Sequence, residues 1–185
     1  MIIKRSTVEK IRIEDVNESH RLDPVEVIIE NYGDGAGKII ITCWGESWTG
    51  FWGSMGGTIE EFFQRVSNDY LIDKMADYRP TEPDTDADPD FLKAEILRQR
   101  RSGHLDRNEA EVAWRYVDDF SPDRNRLCYA ATPPELSMLE GMDEPWYYPW
   151  PKKENPKYNY LSRILDLVRE VINPKGFDIP KENQS

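Results

Sequence analysis

Hydrophobic and polar residues alternate over the first third of the chain, and this period of two predicts β-strands. Segments 8–16, 25–32 and 38–44 are rich in the β-branched residues that strands favour. The glycine-bearing segment 33–37 lies between the last two and predicts a hairpin loop. We therefore predict an antiparallel sheet of three to four strands between residues 8 and 53.

Apolar residues recur every three to four positions in much of the remaining chain, which is typical of amphipathic helices. The first predicted helix spans 58–76 with Thr58 as its N-cap, and Ser67 and Asn68 mark an alternative break point. The last predicted helix spans 157–172. We expect these two helices to cover one face of the sheet, while the other face is exposed to solvent or forms a homodimer.

Two more helices are predicted in the middle of the chain. One follows the N-cap Asp88 and ends before Gly103, and the other spans 107–119. Together they are expected to form a helical hairpin excursion over 89–119. The sequence thus predicts an α+β fold, an antiparallel sheet packed by helices with a helical hairpin insertion.

Proline-rich and acidic segments separate these elements. Residues 79–90 hold five acids and no periodicity, which predicts an exposed acidic linker. Residues 121–157 hold seven prolines and are expected to be loop-like, with at most a short helix around 133–140. Residues 174–185 are expected to be a flexible tail, and the whole chain, 1–185, a single domain.

The stretch CWGESWTGFWGSMGG, residues 43–57, sets Trp44, Trp48 and Trp52 four residues apart among five glycines. A continuous strand would place the three indoles on one face, whereas a two-residue turn at 45–46 would fold the second and third back beside the first. A helix is disfavoured, because each interior glycine costs about 1 kcal/mol relative to alanine. A strand or a hairpin is therefore predicted.

Composition limits the class of protein. The 185 residues carry a net charge of −11, which disfavours binding to a phosphate backbone, so nucleic acid is not an expected partner. An acidic surface can instead steer encounters with basic proteins. The two cysteines, Cys43 and Cys128, are far apart and are expected to be reduced thiols in the cytoplasm. No apolar run approaches the roughly 20 residues that span a bilayer, so no membrane is expected.

The acidic segment matches a calcium-loop template in the spacing of its carboxylates. The residues at template positions 1, 3, 5, 7 and 12 are Asp84, Asp86, Asp88, Asp90 and Glu95. Pro89 stands where the template needs glycine for a sharp turn, and helix capping already explains two of the acids. We therefore predict neither a metal nor a cofactor, and these five residues remain the only metal candidates.

The aromatic residues are the main candidates for a functional site. Core packing is the commonest use of such residues, but exposed tryptophan and tyrosine also dominate protein-binding hot spots. Stacking on single-stranded nucleic acid, with the RQRR stretch supplying cations, is a further alternative. The predicted partner-binding residues are Trp44, Trp48, Trp52, Trp146, Tyr147 and Trp150.

Two stretches, ITCWGESWTGFWGSMGGTIEEFF and NPKYNYLSRILDLVREVI, resemble a family of uncharacterised accessory proteins encoded by tailed phages and prophages of enteric bacteria. The resemblance implies a small protein that acts in the cytoplasm of the bacterial host. Since no catalytic motif is present, we predict a non-enzymatic protein that binds a host or phage protein, for instance as an inhibitor of nucleic-acid-handling or defence machinery. The acids at 82–90 would steer that encounter. A metal-dependent hydrolase or nuclease with dispersed carboxylate ligands is the first alternative, and single-stranded nucleic-acid binding through tryptophan stacking is the second.

Overall fold

The computed structural model describes residues 8–14 and 22–173. They form two compact units. The sheet unit comprises the described residues up to Pro80 and from Asn155 onward, and the helical unit comprises Thr81–Glu154. The predicted α+β class is confirmed, because a four-stranded antiparallel sheet is packed by helices. The single-domain description stays a prediction, and the predicted tail at 174–185 lies outside the described residues.

Four antiparallel strands pair in chain order in the sheet unit. They are β1 (Glu9–Ile13), β2 (Val25–Tyr32), β3 (Ala36–Cys43) and β4 (Glu46–Trp52). The register sets Ile29 opposite Ile39 and Val27 opposite Ile41, so that buried side chains from neighbouring strands meet on one face. The alternation of buried side chains along these strands corresponds to the period of two in the sequence. The predicted antiparallel sheet is therefore confirmed, and it has four strands, the larger of the two predicted numbers.

A two-residue turn separates β3 from β4. Cys43 pairs with Glu46, which leaves Trp44 and Gly45 as the central turn residues, with φ of 49° and 80°. Positive φ at both positions is the signature of a type I′ hairpin turn. The prediction of a continuous strand is therefore wrong. The alternative prediction of a two-residue turn at 45–46 is displaced by one residue from the observed turn at 44–45.

Three helices cover the buried face of the sheet. They are α1 (Ile59–Phe63), α2 (Asn68–Met75) and α6 (Pro156–Val171). The predicted helix over 58–76 is thus two helices, and the break is at Ser67, whose side chain caps α2 by accepting from the Tyr70 amide. Arg169 of α6 donates to the Phe63 carbonyl at 2.8 Å and to the Val66 carbonyl at 2.9 Å, which gives partners to carbonyls at and just after the C-terminus of α1.

Glycines in this region make room for the indole of Trp52. A methyl group added at Gly50 would lie 2.3 Å from that ring, and one added at Gly37 would lie 2.6 Å from Met55. Both distances are shorter than van der Waals contact, so neither position has space for a side chain. Gly50 and the indole of Trp52 therefore belong to the same packing arrangement.

The helical unit contains three α-helices, two short 3₁₀ helices and a two-stranded ribbon. Its elements are β5 (Thr81–Pro83), α3 (Asp88–Ser102), α4 (Arg107–Phe120), α5 (Arg124–Tyr129) and β6 (Lys152–Glu154). Gly103, with φ of 84°, ends α3 as the sequence predicts, and Asp106 caps α4 in a capping box. The buried layer between them includes Leu92, Ile96 and Val117.

Two predictions for this unit are corrected. Residues 79–90 are not an exposed linker, because β5 pairs with β6 and the Asp88 side chain is fully buried. Asp88 is also not the N-cap of α3, since Ala87 holds that position and no side chain caps it. The region 121–157 is less irregular than expected, because α5 and β6 lie within it.

Candidate protein-binding surfaces

Trp44 combines high exposure with an unfavourable backbone conformation. Its side chain is 80% exposed at the β3–β4 turn, and its φ of 49° lies in the left-handed region. Asparagine and glycine favour this conformation, whereas it is unusual for a bulky side chain. Residues held in such regions concentrate at functional sites. Trp44 is therefore the most prominent candidate on the sheet unit.

A groove of about 420 Å³ lies beside Trp44, between the β3–β4 hairpin and α6. We call it the Trp44 groove. Its ring-bearing lining residues are Trp44, Trp48, Tyr78 and Tyr160. Trp48 and Tyr160 pack with ring centroids 6.4 Å apart. Volume and aromatic lining are those of a site that takes up one or two side chains of a ligand.

Two cations of α6 also line the Trp44 groove. The Lys157 ammonium lies 6.0 Å from the centre of the Tyr78 ring, and the Arg163 guanidinium lies 5.7 Å from that of Tyr160. Within the described residues Lys157 forms no ion pair. Glu46 is the single carboxylate in the lining. The groove thus carries positive charge locally on an acidic chain.

The floor of the Trp44 groove holds a polar pair. The Cys43 thiol and the Tyr160 hydroxyl are 3.2 Å apart. Burial, with the hydrogen bond to Cys43, raises the pKa of Tyr160 above its ordinary value, so this hydroxyl stays protonated. The pair closes the inner end of the groove without adding charge.

Three of the six predicted partner-binding rings are buried. Trp48 and Trp52 lie in the core of the sheet unit and Trp150 in that of the helical unit. The Trp52 indole donates to the Tyr70 hydroxyl at 3.1 Å. These three indoles have little surface to offer a partner, whereas Trp44, Trp146 and Tyr147 are exposed. The partner-binding role stays a prediction for the exposed rings.

A second groove, of about 630 Å³, lies on the helical unit. We call it the aromatic groove. Tyr129 and Trp146 stand at its rim with 90% and 58% exposure, and Tyr148 and Trp150 form its floor. Of the predicted partner-binding residues, Trp146 and Trp150 line this groove and Tyr147 does not. The sequence gave no sign of Tyr129, which α5 brings to the same groove.

A buried ion pair holds the floor of the aromatic groove in position. Arg124 donates from its backbone amide to Asp88 at 2.8 Å and from Nε at 3.0 Å, and its guanidinium also donates to the Pro151 carbonyl. The same guanidinium lies 5.5 Å from the centre of the Trp150 ring. Trp150 in turn donates to the Pro145 carbonyl at 2.6 Å. The ring is therefore fixed from both sides.

Tyr148 makes the stability of the helical unit sensitive to alkaline pH. Burial, and secondarily the charge of Glu95, raises its pKa to about 12. Its hydroxyl donates to the Glu140 carbonyl at 2.5 Å, a contact that requires the proton. Because the folded-state pKa lies above the unfolded value near 10, this contribution is complete below pH 10 and is lost as pH rises to 12.

We therefore expect the free energy of unfolding to fall between pH 10 and pH 12, and Tyr148→Phe to make that fall shallower. Urea unfolding at a series of pH values measures it. Tyr147→Phe, a change at the exposed neighbouring ring, is the control and should keep the wild-type slope. Identical slopes for Tyr148→Phe and wild type would contradict the assignment.

The calcium-template carboxylates do not converge. Asp88 binds Arg124, Glu95 accepts from Arg98 and Gln99, and Asp84 lies 3.6 Å from Lys153. Across residues 8–14 and 22–173, no three histidine, cysteine or acidic side chains are arranged to hold a metal ion. The carboxylates thus have the sequence spacing of a calcium-binding loop but not its geometry. The reason is that α3 begins at Asp88, where such a loop would have to turn.

No helix in the described part of the chain has both the length and the apolar character needed to cross a membrane.

Comparison of the sequence with models of protein families gives a match over most of the chain. A family model described as a phage family matches residues 1–174 of the chain. No curated protein and no solved structure matches the chain. The predicted phage context is confirmed by the family match, and the enteric host and the cytoplasmic location stay predictions.

Proposed function

Because the chain belongs to this phage family, we propose that it is an accessory protein that binds a host or phage protein through Trp44 and the Trp44 groove. The carrying observation is the exposed indole at a left-handed turn position. The left-handed conformation costs an ordinary L-residue roughly 1–2 kcal/mol, and asparagine or glycine would largely avoid that cost. Packing among the described residues offers little compensation, since four-fifths of the side chain is in solvent.

Contact with a partner supplies the missing compensation. A tryptophan that becomes buried at an interface contributes more than most residues, because its large ring loses little conformational entropy. The Trp44 groove beside it would receive an apolar side chain of the partner against Tyr78 and Tyr160. Lys157 would pair with a carboxylate or a carbonyl group next to that side chain.

The overall negative charge of the chain affects which kinds of partner it encounters. A net charge of −11 favours encounters with basic protein surfaces and disfavours those with nucleic acids. This supports a protein partner over the single-stranded nucleic acid that exposed indoles could also bind.

Replacing Trp44 with asparagine tests the proposal. We expect the free energy of unfolding to stay unchanged or to rise by about 1 kcal/mol, because asparagine adopts the left-handed turn readily. We expect the protein captured from host lysate by wild type to be lost, with at least about a tenfold decrease in affinity once that partner is purified. Urea unfolding and quantitative pull-down measure the two effects.

Tyr32→Asn is a matched control, because it removes an exposed ring from the same unit outside the Trp44 groove. It should retain the partner. Equal capture by wild type and Trp44→Asn, or capture only of nucleic acid, would refute the proposed function.

A further inference from the structure

The aromatic groove of the helical unit has a chemistry that identifies its ligand independently of Trp44. We propose that it binds an extended, proline-rich segment of another polypeptide that carries an acidic residue. Three features support this ligand class: the exposed rings at the rim, the unpartnered hydrogen-bond donors and the charge of the lining.

The rim rings are costly to leave in water. Tyr129 and Trp146 are large, mostly exposed, and border the same concave surface, whereas large exposed rings in most proteins are scattered singly. Flat aromatic faces are the surfaces on which pyrrolidine rings pack in grooves that recognise polyproline II segments. Pro83 and Pro149 extend the same rigid lining.

Most unpartnered side-chain groups of the groove are donors, and the exposed Asn125 amide adds one carbonyl acceptor. The Trp146 indole N–H, the Tyr129 hydroxyl and the Lys152 ammonium have no partner in the described part of the chain. Proline residues lack N–H groups, and a polyproline II segment has no internal hydrogen bonds, so its carbonyls are free to accept. A helix would have its carbonyls engaged internally, and a β-strand would bring N–H groups that need acceptors. The donor set therefore fits the proline-rich segment best.

The charge of the lining favours an acidic residue in the ligand. No carboxylate lines the aromatic groove among the described residues, and its two cations are Arg124 and Lys152. Arg124 is neutralised by the buried Asp88, whereas Lys152 is exposed. One cation thus remains to pair with a carboxylate beside the prolines, and this site differs in sign from the chain as a whole.

The groove is formed before the ligand arrives. Trp150 is held by its hydrogen bond to Pro145 and by Arg124, and Tyr148 is held by Glu140 and by Gln99 at 3.3 Å. A fixed floor and a stiff ligand both lose little entropy on binding, which allows recognition by a small surface.

The test uses the full chain and a fluorescein-labelled peptide of eight prolines with a glutamate at each end. Fluorescence anisotropy should show saturable binding, and a peptide with alanine in place of every proline should bind at least about tenfold more weakly. Tyr129→Ser and Trp146→Ser should each weaken binding by about tenfold or more. Tyr129 is so exposed that its replacement leaves folding intact.

Two matched controls accompany these variants. Phe120→Ser removes a ring of the same unit with the same 58% exposure as Trp146 but outside the aromatic groove, and should bind like wild type. Lys152→Gln should weaken binding, whereas Lys153→Gln, at the next position and outside the groove lining, should not. Equal affinity for both peptides, wild-type affinity of both ring variants, or no saturable binding at millimolar peptide would each overturn the proposal. Trp44→Asn should leave peptide binding unchanged. The proposal for the aromatic groove and the proposal for the Trp44 groove can therefore be refuted independently.

Discussion

Replacing Asp88 with asparagine is expected to lower the free energy of unfolding by about 3–5 kcal/mol. The Asp88 side chain is fully buried and Arg124 is 8% exposed, so the substitution leaves an uncompensated cation in the interior. The loss extends beyond one ion pair, because Arg124 also binds the Pro151 carbonyl and packs on Trp150. Urea denaturation monitored by circular dichroism measures the change.

Asp86→Asn is the matched control in the same acidic segment. Its side chain is 92% exposed and lies 3.8 Å from Lys153, so its removal should cost no more than about 1 kcal/mol. A destabilisation of similar size for both variants would show that the acids of this segment act through their summed charge and not through the buried pair.

Replacing Trp52 with alanine is expected to cost about 3–5 kcal/mol of folding free energy. The indole is buried between Phe62 and Phe63, with ring centroids at 5.3 and 5.9 Å, and donates a hydrogen bond to Tyr70. Its removal leaves a cavity beside Gly50, which has no side chain of its own to fill the space. Thermal or urea unfolding measures the loss.

Phe51→Ala separates this burial effect from a general requirement for aromatic residues in β4. Phe51 is the preceding residue, faces away from the core and is 55% exposed, so its replacement should cost less than about 1 kcal/mol. If Trp52→Ala proved as mild as Phe51→Ala, the indole would have to be an exposed anchor, which is the alternative to core packing that the sequence leaves open.

The sheet was predictable because its signal is local. Alternating residues such as Val27 and Ile29 specify both a strand and its buried face, and the residues of 25–32 form β2 with the predicted bounds. The hairpin turn was harder to place. A glycine can take either central position of such a turn, and a tryptophan in left-handed conformation at Trp44 runs against the usual preference.

The sites were less predictable because they depend on contacts distant in sequence. Asp88 and Arg124 are 36 residues apart, and nothing in the acidic segment distinguishes Asp88 from its exposed neighbours. In the same way, Tyr129 comes close to Trp146 only because α5 forms in a region whose prolines predict a loop. The spacing of Lys157, Tyr160 and Arg163, three residues apart on α6, is the one local signal that would have indicated the Trp44 groove.

The pairing of β5 with β6 has a consequence for how the chain is assembled. Thr81 is paired with Glu154, and the Asn155 amide donates to the Pro80 carbonyl at 3.0 Å, so the polypeptide leaves and re-enters the sheet unit at adjacent points. We therefore expect the sheet unit to fold when residues 81–154 are replaced by a short glycine-containing connection. The helical unit is thus a continuous insertion whose two ends lie side by side, the arrangement in which a segment can be replaced as a whole.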